Sequence, residues 1–186
     1  MTRHQKARAL LAGKFNRSEE AWRKYLPTLD QLSRQMRSRA ISHRGFDNGT
    51  VSLAWGWHRD PVIVGGANHK PHKGERRHRA GDYCGEMESI WAARRMHCSE
   101  IIGMVVTCPH QPDEVSGRDF GVTVSCYYCR IEFRVERRKS KSPLKGHTRL
   151  RFNHPTDRSL YLNITVDKFL AMFPNDPPWV LKRGGT

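Results

Sequence analysis

The sequence predicts an α/β domain, because β-type runs and segments with helical periodicity follow one another along the chain. Alternate apolar positions indicate a first strand with one buried face, formed by Val51, Leu53, Trp55 and Trp57. Residues 62–67 are predicted to form a second strand, and the apolar run 101–107 a third. At 186 residues the chain is long enough for one domain with a substantial buried core.

The segment before the first strand is predicted to be helical, with breaks. A first helix is expected over residues 3–15, and Ser18, which is followed by two acids, is typical of a helix start. Pro27 is expected to end that second helix or to open the next one. The next helix carries an apolar stripe at three- and four-residue spacing, formed by Leu29, Leu32 and Met36.

The second half of the chain continues the alternation. Residues 84–96 and 126–135 are predicted helices, and residues 120–124 are β-like. Residues 134–151 contain eight Lys and Arg and one acid, and are predicted to form a mobile basic loop. Two strands and a last short helix are predicted over residues 147–152, 160–165 and 166–172.

The composition is strongly basic, with 33 Lys and Arg against 18 Asp and Glu and a formal net charge of +15. Such an excess attracts phosphates, either on a nucleotide or along a polynucleotide, and an ordinary metabolic enzyme has little use for it. Basic side chains are dense in residues 69–81 and again in 134–151. The alternative interpretation is a solvated basic surface that binds no ligand.

Location and redox environment are predicted from apolar runs and cysteine usage. No stretch approaches the roughly 20 apolar residues of a membrane span, and the basic N-terminus lacks the apolar core of a signal peptide. We therefore expect a cytoplasmic protein without a membrane partner, and the sequence leaves a homo-oligomer open. Five cysteines, two of them in Cys-x-x-Cys, favour metal binding over disulfides in a reducing compartment.

Two short motifs predict a catalytic metal site. The first is Cys84-Gly85-Glu86, and the second places Cys126 and Cys129 in Cys-x-x-Cys. Three thiolates can hold Zn²⁺ and leave a fourth coordination position open for water. Glu86 is not needed as a ligand, so its carboxylate is expected to move protons beside the metal.

This pair of motifs resembles the cytidine deaminase superfamily, in which Cys-x-Glu is followed downstream by Cys-x-x-Cys. Cys129 is followed by Arg130, as in the Cys-x-x-Cys-Arg of free-cytidine deaminases, whereas Ser125 replaces the usual Pro before the second Cys. The resemblance covers residues 31–174 and implies a three-layer α-β-α fold with a central mixed sheet and an N-terminal helical extension. It divides the chain into a basic helical extension (1–27), a catalytic domain (28–174) and a C-terminal tail (175–186).

The resemblance also suggests roles for four further residues. Asn68 stands where the family uses an Asn to contact the nucleoside sugar, although the residue alone favours a turn-forming Asn. Lys70 replaces a ribose-holding Glu with a cation that can meet a phosphate. Tyr127 is expected either to wall the base pocket or to pack in the core. Arg130 is expected either to offset the net charge of −1 that three thiolates leave on Zn²⁺, or to be exposed.

The chemistry that this resemblance implies is hydrolysis of a cyclic amidine C–N bond, which converts cytosine to uracil in a cytidine-type substrate. Hydroxide formed at Zn²⁺ attacks C4 of the ring while Glu86 moves the protons. A phosphorylated substrate, either a nucleotide or single-stranded DNA or RNA, fits the positive charge. The same machinery would attack adenine at C6.

Two other functions are open at this point: a deaminase of a nucleoside or cytosine-containing antibiotic, and a non-catalytic zinc-containing nucleic-acid-binding protein. Glu86 argues against the second, since a structural zinc site has no use for that carboxylate. The all-Cys ligand set resembles the cytidine branch, because polynucleotide deaminases more often place His at the position of Cys84. Cys98 and Cys108, with neighbouring histidines, are interpreted as ordinary cysteines rather than as ligands of a second metal.

Overall fold

The computed structural model describes residues 2–39, 47–67 and 84–174 of the chain. In these residues, helices and strands follow the order αββαβαββα, so the predicted alternation is confirmed. The helices are α1 (Arg3–Arg37), α2 (Gly85–Arg95), α3 (Tyr127–Glu136) and α4 (Val166–Ala171). The strands are β1 (Gly49–Trp55), β2 (Pro61–Ala67), β3 (Glu100–Thr107), β4 (Arg149–Asn153) and β5 (Tyr161–Thr165).

The strands form one mixed five-stranded sheet in the order β2-β1-β3-β4-β5. β1 pairs antiparallel with both β2 and β3, β3 pairs parallel with β4, and β4 pairs antiparallel with β5. All eight residues of the central strand β3 are buried, as expected for a strand covered on both faces.

Two separate apolar clusters cover the two faces of the sheet. On one face, α1 packs Trp22 and Leu29 against Leu53 and Val105. The cluster on the other face joins α2, α3 and α4 to the sheet through Ile90, Phe133, Phe169, Met104 and Phe152. The predicted three-layer α-β-α architecture with an N-terminal helix is therefore confirmed.

The predicted helix breaks near Ser18 and Pro27 are wrong, because Arg3–Arg37 is one continuous helix with Pro27 inside it. Proline removes one helical hydrogen bond and crowds the preceding turn. Trp22 and Leu29, on either side of this proline, are both buried against the sheet, and this packing overrides the local signal. Helix α1 therefore crosses the boundary that was predicted after residue 27. The division of the chain into a helical extension and a catalytic domain stays a prediction. Neither α1 nor any other described helix combines the length and apolarity needed to cross a membrane.

Trp22 lies over a position on β3 that only glycine can occupy. A Cβ built on Gly103 would lie 2.3 to 2.9 Å from carbon atoms of the Trp22 ring. The indole therefore uses space that any larger residue at position 103 would fill. This contact fixes the height of α1 above the central strand.

Residues 120–124, predicted to be β-like, do not form a strand, and Trp57 lies beyond the end of β1. The Thr123 hydroxyl instead accepts a hydrogen bond from the Gln111 N–H at 2.7 Å and donates one to the carbonyl of Pro109. These bonds tie residues 120–124 to the loop after β3, and so they replace the ladder of a strand.

The predicted basic loop over residues 134–151 is shorter in the structure, since α3 continues to Glu136 and β4 begins at Arg149. The Glu136 carboxylate accepts hydrogen bonds from Lys139 Nζ and Ser142 Oγ, both at 2.8 Å. This buried acid therefore fixes the turn that follows α3. The other predicted helices and strands are confirmed with small shifts of their ends.

Gly103→Ala is expected to destabilise the fold by about 1–3 kcal/mol, because the added methyl group must displace the Trp22 ring. Urea unfolding followed by circular dichroism measures this free energy. Gly13→Ala in α1 is the control, since nothing lies within 4 Å of a Cβ there. That change is expected to stabilise the helix by about 1 kcal/mol. Equal effects of the two substitutions would contradict the packing of Trp22 on Gly103.

Candidate active site

The first turns of α2 and α3 bring together the three predicted metal ligands. Cys84 is the N-cap residue of α2, Cys126 is the N-cap residue of α3, and Cys129 lies in the first turn of α3. Neither N-cap side chain bonds to its own helix. The partial positive charge at the start of each helix favours thiolates at this position.

The distance between the sulfur atoms of Cys84 and Cys126 matches a tetrahedral zinc site, and the sulfur of Cys129 lies nearby. The three Sγ atoms lie within 4.8 Å of one another, and Cys84 Sγ and Cys126 Sγ are 3.8 Å apart. Zn–S bonds of about 2.3 Å at tetrahedral angles place two sulfurs roughly 3.8 Å apart. All three cysteines are free thiols. Among the described residues, this is the one group of three potential ligands this close together.

The chemistry of these donors also calls for a cation. The pKa of the Cys129 thiol is raised well above its usual value, first by its hydrogen bonds with Cys126 and Cys84 and then by burial. Three thiolates packed together repel one another, and a bound divalent cation removes that repulsion. The three cysteines would therefore hold a soft divalent metal such as zinc and leave one position open.

Glu86 lies in the first turn of α2, with only 1% of its surface exposed. Burial, with the charge of Cys126 adding to it, raises the pKa of Glu86 to about 7. A hydrogen bond from Asn48, which stabilises the carboxylate, opposes this shift. A buried carboxyl group next to a metal site is a good candidate for proton transfer.

Asn48 is a candidate functional residue that the sequence did not reveal. Its Nδ2 donates a hydrogen bond of 2.6 Å to Glu86 Oε2. Its Oδ1 accepts one of 2.8 Å from the Thr50 hydroxyl. The Thr50 hydroxyl therefore sets the orientation of the amide, so that the donating end faces Glu86. The sequence signal was weak, because an Asn before a Gly is ordinarily typical of a turn.

Two glycines let the start of α2 approach the sheet. A Cβ on Gly66 would lie 2.5 Å from the carbonyl oxygen of Gly85. A Cβ on Gly85 would lie 3.0 Å from Asn48 Oδ1 and 3.1 Å from Thr50 Oγ1. Further along the same interface, the hydroxyls of Ser52 and Ser89 are 2.6 Å apart. The helix is thus seated on β1 and β2 by close backbone contact and buried polar contacts.

Arg130 is completely buried and connects α3 to the loop that precedes it. Its Nη1 donates to Asp113 Oδ1 at 2.6 Å and to the carbonyl oxygen of Ser125 at 2.9 Å. The guanidinium also lies over the Phe173 ring, 4.0 Å from its centroid. These contacts fix the chain directly before Cys126, while the proposed effect of Arg130 on the thiolate charge stays a prediction.

The structure describes only part of the predicted substrate site. Asn68, Lys70 and the basic segment 69–81 lie outside the described residues. Tyr127 is buried, its N–H donates to Glu114 Oε1 at 3.2 Å, and its ring lies 5.5 Å from that of Tyr128. Its predicted contact with the base stays a prediction.

Cys98 and Cys108 are both buried in the apolar cluster beneath α2. Cys108 Sγ donates a weak hydrogen bond to the carbonyl oxygen of Thr123 at 3.7 Å, and burial is the main reason that its pKa is raised. A buried thiol with a raised pKa behaves as a small apolar side chain. Both cysteines therefore contribute to packing in this structure.

The described fold is that of the cytidine deaminases. The crystal structure of cytidine deaminase from Burkholderia pseudomallei matches 76% of this chain and 92% of its own, with a TM-score of 0.53 and 12% identity. Cytidine deaminases from Mycobacterium tuberculosis and Mycobacterium leprae also match, both with TM-scores of 0.46 and with 13% and 12% identity. They cover 83% and 78% of this chain, and 98% and 96% of their own. No family model and no curated protein sequence matches the chain.

Cys126→Ala is expected to abolish metal binding, because two thiolates and water hold zinc far more weakly than three thiolates. Wild-type protein purified without chelators is expected to contain about one zinc per chain, measured by elemental analysis. Cys98→Ala is the matched control, because this buried cysteine lies outside the three-cysteine group. Equal zinc content in the wild type and Cys126→Ala would contradict the assigned ligands.

Asp113→Asn is expected to destabilise the protein by about 3 kcal/mol at pH 7, because it removes the negative charge that lies 2.6 Å from the buried Arg130 guanidinium. Burial alone would raise the pKa of Asp113, but hydrogen bonds from Ser116 and the Arg130 guanidinium hold it below its usual value. The contribution of this pair is therefore present above the unfolded-state pKa of about 4 and is lost as pH falls further.

Urea unfolding of both proteins at pH 7 and at pH 3 tests this linkage. The difference in unfolding free energy is expected to be smaller at pH 3. Asp60→Asn, at an exposed position in the β1–β2 turn, is the control and is expected to have little effect. A difference between wild type and Asp113→Asn that does not change with pH would refute the electrostatic role of the pair.

Proposed function

We propose that this protein is a zinc-dependent hydrolytic deaminase that converts cytosine to uracil in a cytidine-type substrate. The observation that supports this most directly is the buried Glu86 carboxylate in the first turn of α2, directly after Cys84 and Gly85. A structural zinc site is closed by four protein ligands, whereas the described residues offer three here. The cytidine deaminase fold supports the same chemistry.

In this proposal Glu86 carries the protons of the reaction. Zinc, when bound, lowers the pKa of a coordinated water enough to supply a nucleophile near neutral pH. Glu86 would accept one proton from the attacking water and give it to N3 of the cytosine ring. It would then carry the remaining proton of the hydroxyl added at C4 to the amino group, which leaves as ammonia. Water and cytosine are thereby converted to uracil and ammonia.

Asn48 positions the carboxylate for these transfers. Asn48 Nδ2 donates a hydrogen bond of 2.6 Å to Glu86 Oε2, which orients the carboxylate. Asn48 is itself buried and held by Thr50. The carboxylate is therefore ordered before the substrate binds, which lowers the cost of reaching the reactive geometry.

The substrate is proposed to carry phosphate, either as a cytosine nucleotide or as single-stranded DNA or RNA. The net charge of +15 supports this choice. Lys70 further supports it, since a cation in place of a ribose-holding Glu is suited to a phosphate. Residues 69–81 precede Cys84 closely in sequence and are proposed to form part of the pocket rim.

Ammonia release from zinc-loaded protein tests the activity and the substrate together. Cytidine, dCMP and a cytosine-containing single strand are compared at several salt concentrations. Phosphorylated substrates are expected to react faster than cytidine, and affinity for the strand is expected to fall steeply with salt, because counterions are released. Cytidine as the best substrate, with no salt dependence, would favour a small-molecule deaminase. No ammonia from any cytosine substrate would contradict the proposal.

Glu86→Gln is expected to lower kcat at least about 100-fold, because it removes the proton carrier and keeps the size of the side chain. Metal content and melting temperature are expected to stay close to wild type, since Glu86 is not a ligand. Glu88→Gln, in the same turn of α2 and only partly buried, is the matched control and is expected to retain activity. Near-wild-type activity of Glu86→Gln would rule out the mechanism.

Asn48→Ala is expected to lower kcat by up to about 100-fold with little change in KM, because the carboxylate loses its orientation while the substrate contacts remain. Steady-state kinetics with the best substrate measures both constants. Ser52→Ala is the control, since it removes a buried hydroxyl from the same interface without touching Glu86. Equal losses of kcat in the two variants would show that Asn48 supports the fold rather than Glu86.

A further inference from the structure

A groove of about 550 Å³ lies at the C-terminal end of α2, opposite to the end that carries Cys84. Its walls come from the turn between β1 and β2, from the C-terminal end of α2 and from the loop after α3. The residues important here are Trp57, Arg59, Arg94, His97 and Lys141. No Asp or Glu is among the described residues that line it.

Trp57 presents an unusually exposed aromatic ring in this groove. The residue is 77% exposed, although tryptophan is among the residues that gain most from burial. The Trp57 and His97 rings meet edge to face, with centroids 6.5 Å apart. A large face of the indole is therefore available to stack against a planar ligand.

Arg59 occupies a position where the backbone favours glycine. Its φ is +64°, and the hydrogen bonds Arg59 N–H to Gly56 O and Gly56 N–H to Asp60 O close a three-residue hairpin loop. In this kind of loop the last residue is left-handed and is usually glycine. Arginine at position 59 therefore costs some backbone strain, and it places a guanidinium beside the groove.

His97, which also lines the groove, is a second residue with a positive φ. Its φ is +54°, and it ends α2 in a Schellman motif, in which Cys98 N–H bonds to Ala93 O and His97 N–H to Arg94 O. Glycine is the common residue at this position also. Two unrelated turns thus place polar side chains at glycine positions around one groove, and such departures from local preference are concentrated at functional sites.

The charges of the groove are suited to phosphate. Arg59 and Lys141 are both exposed, whereas Arg94 is paired with the buried Glu136. Aromatic faces match planar bases and the cations match phosphates, which alternate along a single strand. We propose that this groove binds single-stranded nucleic acid, with a base stacked on Trp57 and the neighbouring phosphates on Arg59 and Lys141.

The position of the groove favours a polymer over a mononucleotide. An 11-residue helix is about 16 Å long, and α2 has the three-cysteine group at its start and the groove at its end. One nucleotide cannot occupy both places, whereas a strand of several nucleotides can. Binding in the groove is independent of the deaminase activity; only the idea that the bound strand is also the substrate rests on the proposed function.

Fluorescence anisotropy with a labelled oligothymidine strand tests the proposal, because a probe without cytosine binds whether or not the protein deaminates. Trp57→Ala is expected to weaken binding about 5- to 100-fold, as removal of the stacking partner of one base does. Arg59→Gly is expected to weaken binding and to reduce the salt slope by about 0.7 for each phosphate that the arginine neutralises. Lys168→Ala, an exposed cation on α4, is the control for removal of one charge.

The glycine variants separate binding from structure. Arg59→Gly and His97→Gly relieve a positive φ, so the melting temperature is expected to stay the same or to rise while binding weakens. Unchanged affinity in Trp57→Ala and Arg59→Gly would overturn the proposal. A decrease in affinity in Lys168→Ala as large as in Arg59→Gly would also overturn it, because diffuse charge would then explain binding. Competition by inorganic polyphosphate as strong as by unlabelled oligothymidine would exclude base stacking.

Discussion

The candidate active site depends above all on the close contact between the start of α2 and strands β1 and β2. Gly66 and Gly85 face each other across this contact, and any side chain at position 66 would collide with the helix backbone. Because the helix lies so near the sheet, Glu86 reaches Asn48, the residue directly before β1, at 2.6 Å. The backbone approach thus determines where the carboxylate lies, and Cys84 is fixed with it, since only one residue separates them.

The two helices that carry the cysteines are positioned by different forces. Backbone contact and buried hydroxyls seat α2, whereas a buried ion pair between Arg130 and Asp113 secures the chain that leads into α3. Buried ion pairs are geometrically demanding, because each charge must be matched by hydrogen bonds. A metal between Cys84 and the α3 cysteines would add a link at the start of the two helices, which are already joined by the Arg94–Glu136 ion pair and by the shared apolar cluster.

The sequence was most informative where chemistry and spacing occur in short segments. The two cysteine motifs and Glu86 lie at the predicted helix starts, where residue spacing fixes which side chains are close, while their roles as metal ligands and proton carrier stay predictions. The contact between Asn48 and Glu86 could not be predicted, because the two residues lie 38 positions apart and no local pattern marks the pair. The helix break predicted at Pro27 was wrong because the burial of Trp22 against the sheet outweighs a local helix-breaking signal. The β-like run predicted over residues 120–124 was wrong because hydrogen bonds to the Thr123 hydroxyl and to the loop replace strand pairing.

The continuous α1 helix contacts the sheet at several points along its length and so stabilises it. Near its middle, Glu19 accepts a hydrogen bond from Arg149 of β4 at 2.9 Å, and near its end Arg34 donates to the carbonyl of His154 at 3.0 Å. Between them, Trp22 fills the space above Gly103. Residue 27 therefore lies within a helix that contacts the sheet on both sides of this position. A protein without residues 1–27, either shortened or with another domain fused in their place, would lack Trp22. The apolar face of the central strand would then be exposed to water.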